Sequence, residues 1–245
     1  MGDYKLQGNK AIVTGASRGM GLAIAESLAS EGVKVFMTAR DEVALNRIKS
    51  DFLKKGFDVD YAPADLADSV QVEKMFALSL DFLGGLDILI NNAGIGLHRP
   101  VKDMAVAELD EMLAVNLRAP FILSKLAAPI MISQGSGFII NIGSGASHTP
   151  IANLAGYCAS KHGLLGFSES LALELRDHGI KVSIVMPGST ATYFGESDPQ
   201  NKLQSKPGML RPQDIADSIL YLLRQSPNAW TSIMNLRPLN LNKGR

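Results

Sequence analysis

The chain has 245 residues, 46% of them hydrophobic, with 24 Lys and Arg against 24 Asp and Glu. That composition supports a large buried core and excludes a disordered chain, and the balanced charge carries no nucleic-acid footprint. The start, Met-Gly-Asp-Tyr-Lys-Leu, has no apolar signal region, no run reaches 18 apolar residues, and the single cysteine, Cys158, cannot close an intramolecular disulfide; a cytoplasmic protein without a membrane or nucleic-acid partner is expected.

In chain order, a short apolar run at 10–14 leads into Gly15-Ala-Ser-Arg-Gly19-Met-Gly21 and then into helical spacing from Leu22 to Ala29. A strand that passes through glycines into a helix lets backbone approach a phosphate at the positive helix end. The next strand, 33–38, closes a β-α-β unit. Strand-like runs follow at 58–63, 86–91, 137–142, 180–185 and 231–236. Helical patterns lie between them at 41–55, 69–83, 106–133 with a break near Pro120, 154–177 and 212–224. Seven strands alternating with six helical stretches predict a doubly wound α/β parallel sheet with helices on both faces, in one domain over 1–245. The polar, breaker-rich stretch 193–209 follows Met186-Pro-Gly188 at a strand end, where open parallel sheets bind ligands, and is read as a substrate lid; a solvated connection is the alternative.

The chemistry concentrates around Tyr157 and Lys161. Four residues is about one helical turn, so phenol and ammonium share a face. A cation beside a phenol favours the phenolate and should lower the tyrosine pKa toward working pH. Ser144, thirteen positions before Tyr157, ends a strand with a hydroxyl that could hold a carbonyl oxygen opposite the phenol.

Thr14-Gly-x-x-x-Gly-x-Gly21, Asp65, Asn91-Asn-Ala-Gly94, Asn116, Ser144, Tyr157-x-x-x-Lys161 and Pro187-Gly188 with Thr192 together resemble the short-chain dehydrogenase/reductase family, over nearly the whole chain. The resemblance implies a Rossmann-type fold and hydride exchange between a nicotinamide and a carbonyl or secondary alcohol. It implies that Tyr157 passes the proton, Ser144 orients the substrate oxygen, and Lys161 holds the cofactor ribose. Asn116, at the helix break, would bind a water that links Lys161 to solvent. Gly15, Gly19 and Gly21, with Ser17, Arg18 and Met20 in the same turn, would receive the pyrophosphate. Asp65 would accept from the adenine amine. The Asn91 to Gly94 segment, with Asn91, Ala93 and Gly94, would support the adenine-side ribose and the neighbouring strand, and Pro187, Gly188, Thr190 and Thr192 would receive the carboxamide. No metal is expected.

The strand 33–38 ends without the acid that takes both ribose hydroxyls in NAD enzymes. Arg40 follows it and Arg18 lies in the glycine turn, so the two guanidiniums fit a 2′-phosphate and imply NADP(H). His98, His148, Tyr193 and Phe194 are candidate substrate residues, with Ile151 and Leu154 beside them. The ending Ile233-Met-Asn-Leu-Arg-Pro238 lacks the Asp-Gly-Gly turn of many 3-oxoacyl-carrier-protein reductases. With Arg211-Pro-Gln-Asp-Ile-Ala216 it resembles the NADP-dependent 3-hydroxy acid and serine dehydrogenase branch. A small 3-oxo acid or related ketone is therefore the expected substrate, with a 3-oxoacyl-carrier-protein reductase and a non-catalytic NADP-binding sensor as alternatives. The resemblance implies that the long helices 106–133 and 154–177 pack against their copies in a homo-oligomer, dimer or tetramer, and 164–167 and 171–175 carry more apolar positions than one inward stripe needs; burial of both faces within one monomer is the competing account.

Overall fold

The computed structural model describes residues 5–191 and 208–239. Seven strands, β1 (Lys10–Thr14), β2 (Lys34–Ala39), β3 (Val59–Pro63), β4 (Ile88–Asn91), β5 (Gly137–Ile142), β6 (Ile180–Pro187) and β7 (Ile233–Leu236), form one sheet in the order β3-β2-β1-β4-β5-β6-β7. Every pairing is parallel. Parallel strands are joined by crossover helices that cover both faces, which is why the strands read as continuous apolar runs.

On one face the helices α1 (Gly19–Ser30), α2 (Glu42–Lys54) and α7 (Pro212–Leu223) bury Ile24, Leu28, Leu45, Phe52, Ile215 and Ile219 against the sheet. The other face takes α3 (Ser69–Leu83), α5 (Ala119–Gln134) and α6 (Ala155–Leu175) through Met75, Phe76, Leu123, Met131, Leu171 and Leu175. Alternation within β1 shows the division: Ala11 and Val13 face the first layer, and Ile12 faces the second.

The expected break near Pro120 is a widening instead. Helix α4 (Val106–Leu113) continues through a π turn, Ala114–Arg118, directly into α5. Pro120 has no N–H to give to the carbonyl of Asn116 four residues earlier, while its fixed φ suits the first turn of α5, so the ladder loosens without ending. The joined helix, Val106–Gln134, is long and apolar enough to cross a membrane by length and composition. Its apolar positions Ala119, Leu123, Ala127 and Met131 are buried against the sheet.

Strand order reverses between β1 and β4, and the crevice outside the carboxyl ends of these strands is where a doubly wound sheet receives ligands. Among the described residues, those that the sequence marks for chemistry leave the sheet at that edge or sit on the helices bordering it.

Candidate active site

The glycine turn is held against the β4 exit by close backbone contacts. Thr14 Oγ1 accepts from the N–H groups of Asn92 and Ala93, both at 3.0 Å, and the Asn92 amide donates to Thr14 O at 2.8 Å. A Cβ on Gly21 would stand 2.2 Å from Gly15 O and 2.5 Å from Asn92 Nδ2, so only glycine fits. Gly15 and Gly19 have φ of +66° and +58°, in the left-handed region that glycine adopts freely. Helix α1 begins at this turn with no side-chain cap and no acid in its first turn, leaving its first N–H groups and positive end directed into the crevice. Ala16 N donates to Thr38 O at 3.1 Å, joining the turn to the end of β2. Arg18 and Arg40 are both exposed there, and Arg40 lies 3.8 Å from Glu111 of α4. Asp65, after β3, accepts from Ala67 N at 2.9 Å with one carboxylate oxygen.

Asn91 supports the neighbouring strand, as expected, with its side chain. Its side chain turns inward: the amide donates to Asn141 Oδ1 at 2.8 Å, and Asn141 donates to Ser168 Oγ at 2.8 Å. This buried chain ties β4 and β5 to α6 beneath the site. Its neighbour Asn92 faces the glycine turn, and Asn92 Oδ1 is buried without a hydrogen-bond partner among the described residues.

At the exit of β5, Ser144 begins a tight turn over Gly145–Ser147; its hydroxyl accepts from Ala146 N at 3.2 Å, and Ser147 Oγ accepts from Ser144 N at 3.1 Å. Ser144 and Tyr157 share a side-chain hydrogen bond. Tyr157 is 7% exposed, packed with Met112, Ala146, Ile95, Leu97, Met104 and Leu154. One turn further along α6, Lys161 is buried, donates to Ile142 O at 2.8 Å, and lies 5.9 Å from the centre of the Tyr157 ring.

The expected depression of the tyrosine pKa is overturned. Burial pushes the Tyr157 phenol up to about 12, with the Ser144 hydrogen bond acting downward against it. Burial also pushes Lys161 down to about 8. Desolvation disfavours the charged form of both groups, and the Lys161 ammonium is engaged with a carbonyl to one side. The phenol is therefore held as an acid at neutral pH.

Asn116 contributes otherwise than by its amide. That amide accepts from Ile95 N at 2.8 Å and donates to Ile95 O at 2.8 Å and to Ser160 Oγ at 2.9 Å. Both of its amide donors are thus used in pinning the loop after β4 and Ser160, and the backbone carbonyl that Pro120 cannot bond is the group nearest in kind to a water site. A Cβ on Gly94 would lie 3.3 Å from Asn116 Oδ1 and 3.4 Å from Lys161 Nζ, which draws the three positions into one cluster.

Pro187 ends β6, and Gly188 N donates to Leu236 O at 2.7 Å. Thr190 Oγ1 donates to Gly188 O at 3.0 Å, and Thr190 pairs with Leu210, so the two ends of the expected lid meet. Thr192, Tyr193, Phe194 and the rest of that stretch up to residue 207 lie outside the described residues. His98 is exposed, beside Arg99 whose N–H donates to Asn153 O at 2.7 Å. His148 closes the turn begun by Ser144 and meets Arg237, a residue the sequence left unmarked. Thr14 and Asn92 belong to the motifs read from the sequence but were given no part of their own there, and Ser160 carried no signal.

A doubly wound sheet whose switch-point crevice joins a glycine turn to a Ser, Tyr and Lys cluster defines a nucleotide-dependent oxidoreductase of the short-chain type. Residues 9–203 match the short chain dehydrogenase family, and the chain belongs to it. An uncharacterized oxidoreductase of Staphylococcus aureus (strain MRSA252) is 33% identical over 234 residues, covering 94% of this chain and 96% of that one. A granaticin polyketide synthase putative ketoacyl reductase of Streptomyces violaceoruber is 38% identical over 188 residues, 76% of this chain and 69% of that one. Among solved structures, a metagenomic short-chain oxidoreductase in complex with NADP superimposes with a TM-score of 0.84 at 38% identity, covering 96% of this chain and 99% of that one.

Proposed function

We propose that this protein is an NADP(H)-dependent reductase that converts a ketone, a small 3-oxo acid or a related carbonyl compound, into a secondary alcohol. The observation that carries the reading is the hydrogen-bonded Ser144 and Tyr157 pair, with Lys161 buried one turn away at the carboxyl edge of the sheet. Ser144 Oγ accepts from Ala146 N and shares a hydrogen bond with Tyr157, so a substrate oxygen that enters between the two hydroxyls exchanges that bond for one from each. Tyr157, protonated at neutral pH because burial raises it to about 12, gives its proton to that oxygen as the carbonyl carbon is reduced. The developing oxyanion is thus met by two donors at once. Lys161 supplies a positive charge beside the phenol as its proton leaves, and the backbone carbonyl of Asn116 offers a route for a replacement proton through water.

The residues present fit the dinucleotide. The uncapped start of α1 and the approach permitted by Gly15 and Gly21 suit a phosphate-bearing ligand over the crevice, and the unpartnered acceptor Asn92 Oδ1 suits a hydroxyl or amine donor of the same ligand. Arg18 and Arg40 suit a 2′-phosphate, and the NADP bound by the metagenomic oxidoreductase supports the same choice. Bound NADPH supplies the hydride. On this reading Thr190 and Gly188 receive its carboxamide, and Asp65 its adenine amine.

The granaticin relative favours a second reading, in which the carbonyl belongs to a carrier-bound acyl chain. Self-association is part of the proposal too. Phe121 of α5 and Leu173 of α6 are 51% and 61% exposed, and Phe121 meets Phe167 at 5.6 Å between ring centres with the rings tilted, which supplies apolar surface suited to a second copy. The test is oxidation of NADPH and of NADH by the purified protein against 3-oxo acids, 3-oxo esters, thioesters, diketones and aldehydes. Turnover with NADPH is expected; NADH preference would sink the argument from Arg18 and Arg40, and tight NADPH binding with no turnover on any class would favour a sensor.

A further inference from the structure

We infer that Arg237 and His148 form an anion subsite at the mouth of the site, which takes the carboxylate of a 3-oxo or 3-hydroxy acid and selects such acids over neutral ketones. The inference rests on the reductase reading above and adds the substrate's charged end.

Arg237 Nη2 lies 3.2 Å from His148 Nε2, and both residues are exposed. A guanidinium has only donors, so the imidazole accepts at Nε2 and carries its own proton on Nδ1. The histidine therefore steers the arginine without neutralising it. Arg40, Arg99, Arg176, Arg211 and Arg224 each pair with a carboxylate. Arg237 has no such partner among the described residues, and its remaining N–H groups form the planar fork that matches a carboxylate.

The backbone brings this pair to the reacting end. Arg237 follows the Leu236 and Pro187 pair at the carboxyl edge of β7, and a Cβ on Gly188 would stand 2.9 Å from Pro238 Cδ. The residue after β7 is thereby packed onto the Pro-Gly turn of β6. His148 approaches from the other side, at the end of the short turn that starts at Ser144. Strands β5 and β7 flank β6, so their ends are about 10 Å apart at roughly 4.8 Å per strand. The Arg237 side chain spans that gap to reach His148, which ends the turn begun by Ser144, so the carbonyl falls at Ser144 and Tyr157 and the carboxylate at Arg237 on the same side of the crevice. A long neutral chain gains nothing from the subsite.

The experiment compares wild type, Arg237→Ala and Arg237→Lys with NADP+ and two probes, 3-hydroxybutanoate and its methyl ester. Calorimetric binding of 3-hydroxybutanoate to the NADP+-loaded proteins is measured alongside. The ratio of kcat/KM for acid over ester is expected to fall about 10- to 100-fold in Arg237→Ala, mainly through KM, and to recover partly in Arg237→Lys. Acid binding should weaken in the same order. An unchanged ratio, or an acid that binds equally well to wild type and Arg237→Ala, overturns the subsite. Binding that depends on Arg237 without turnover of either probe would instead overturn the reductase reading and leave the subsite standing.

Discussion

Lys161 carries a stability cost that the site requires, and Lys161→Met exposes it. Burial holds the folded-state pKa at about 8, against about 10.4 for an exposed lysine, so the charged form is disfavoured by about 3 kcal/mol in the fold at 1.36 kcal/mol per pKa unit. Methionine removes that cost but leaves Ile142 O without its donor, a loss of about 1–3 kcal/mol for a buried carbonyl. At pH 7 the variant should therefore match or exceed wild type by up to about 2 kcal/mol in the cofactor-free protein. The sharper quantity is the pH dependence. Below pH 8 lysine is protonated in both states and the difference is flat. Between about 8 and 10.4 the unfolded chain still holds the proton that the folded chain has lost, so wild-type stability rises relative to the variant by about 3 kcal/mol in total. Urea unfolding followed by the single tryptophan, Trp230, whose indole N–H donates to Val182 O at 2.9 Å, gives both curves. A difference that stays constant from pH 7 to 10 would refute a buried ammonium at this position.

Other perturbations test the cofactor side. Arg40→Ala should weaken NADPH binding about 10- to 100-fold while leaving NADH nearly unchanged, the loss of a charge-assisted bond, read by fluorescence titration. Glu111→Gln should act oppositely and tighten NADPH several-fold, because the Glu111 carboxylate, 3.8 Å from Arg40, competes for the same guanidinium; weaker binding would show that Glu111 instead positions Arg40. Gly21→Ala should destabilise the protein by about 1–3 kcal/mol and reduce binding of either nucleotide, since the new methyl meets Gly15 O and the turn must open. Thermal unfolding and titration of the same samples check both effects.

The fold was legible because parallel strands buried on two faces leave plain apolar runs, and glycines mark where they pass into helices. Strands β1 and β5 fall at 10–14 and 137–142 as expected, and the others begin and end within two residues of the reading. The site was legible as a set of motifs but less so in its physics. Spacing placed Lys161 beside Tyr157 but could not show the desolvation that raises the phenol, because burial is decided by Met104, Met112 and Leu154, which arrive from elsewhere in the chain. Pro120 signalled an interruption, yet a proline in the first turn of a helix is tolerated, and only tertiary packing settled the interruption as a π turn. Asn91 and Asn92 are adjacent and identical in type. Which of them faces the core and which the glycine turn depends on partners in β1, β5 and α6. The meeting of His148 and Arg237 spans 89 positions and leaves no local trace at all.

The central claim is that Tyr157 protonates an oxygen while a hydride from NADPH reaches the neighbouring carbon. Single-turnover reduction with NADPH deuterated at C4 of the nicotinamide, analysed by mass spectrometry of the alcohol for wild type and Tyr157→Phe, tests it most directly. The account predicts deuterium at the carbinol carbon in wild type and a rate at least about 100-fold lower in Tyr157→Phe, with NADPH binding retained. Label that reaches product equally fast without the phenol, or alcohol formed without label, would contradict it.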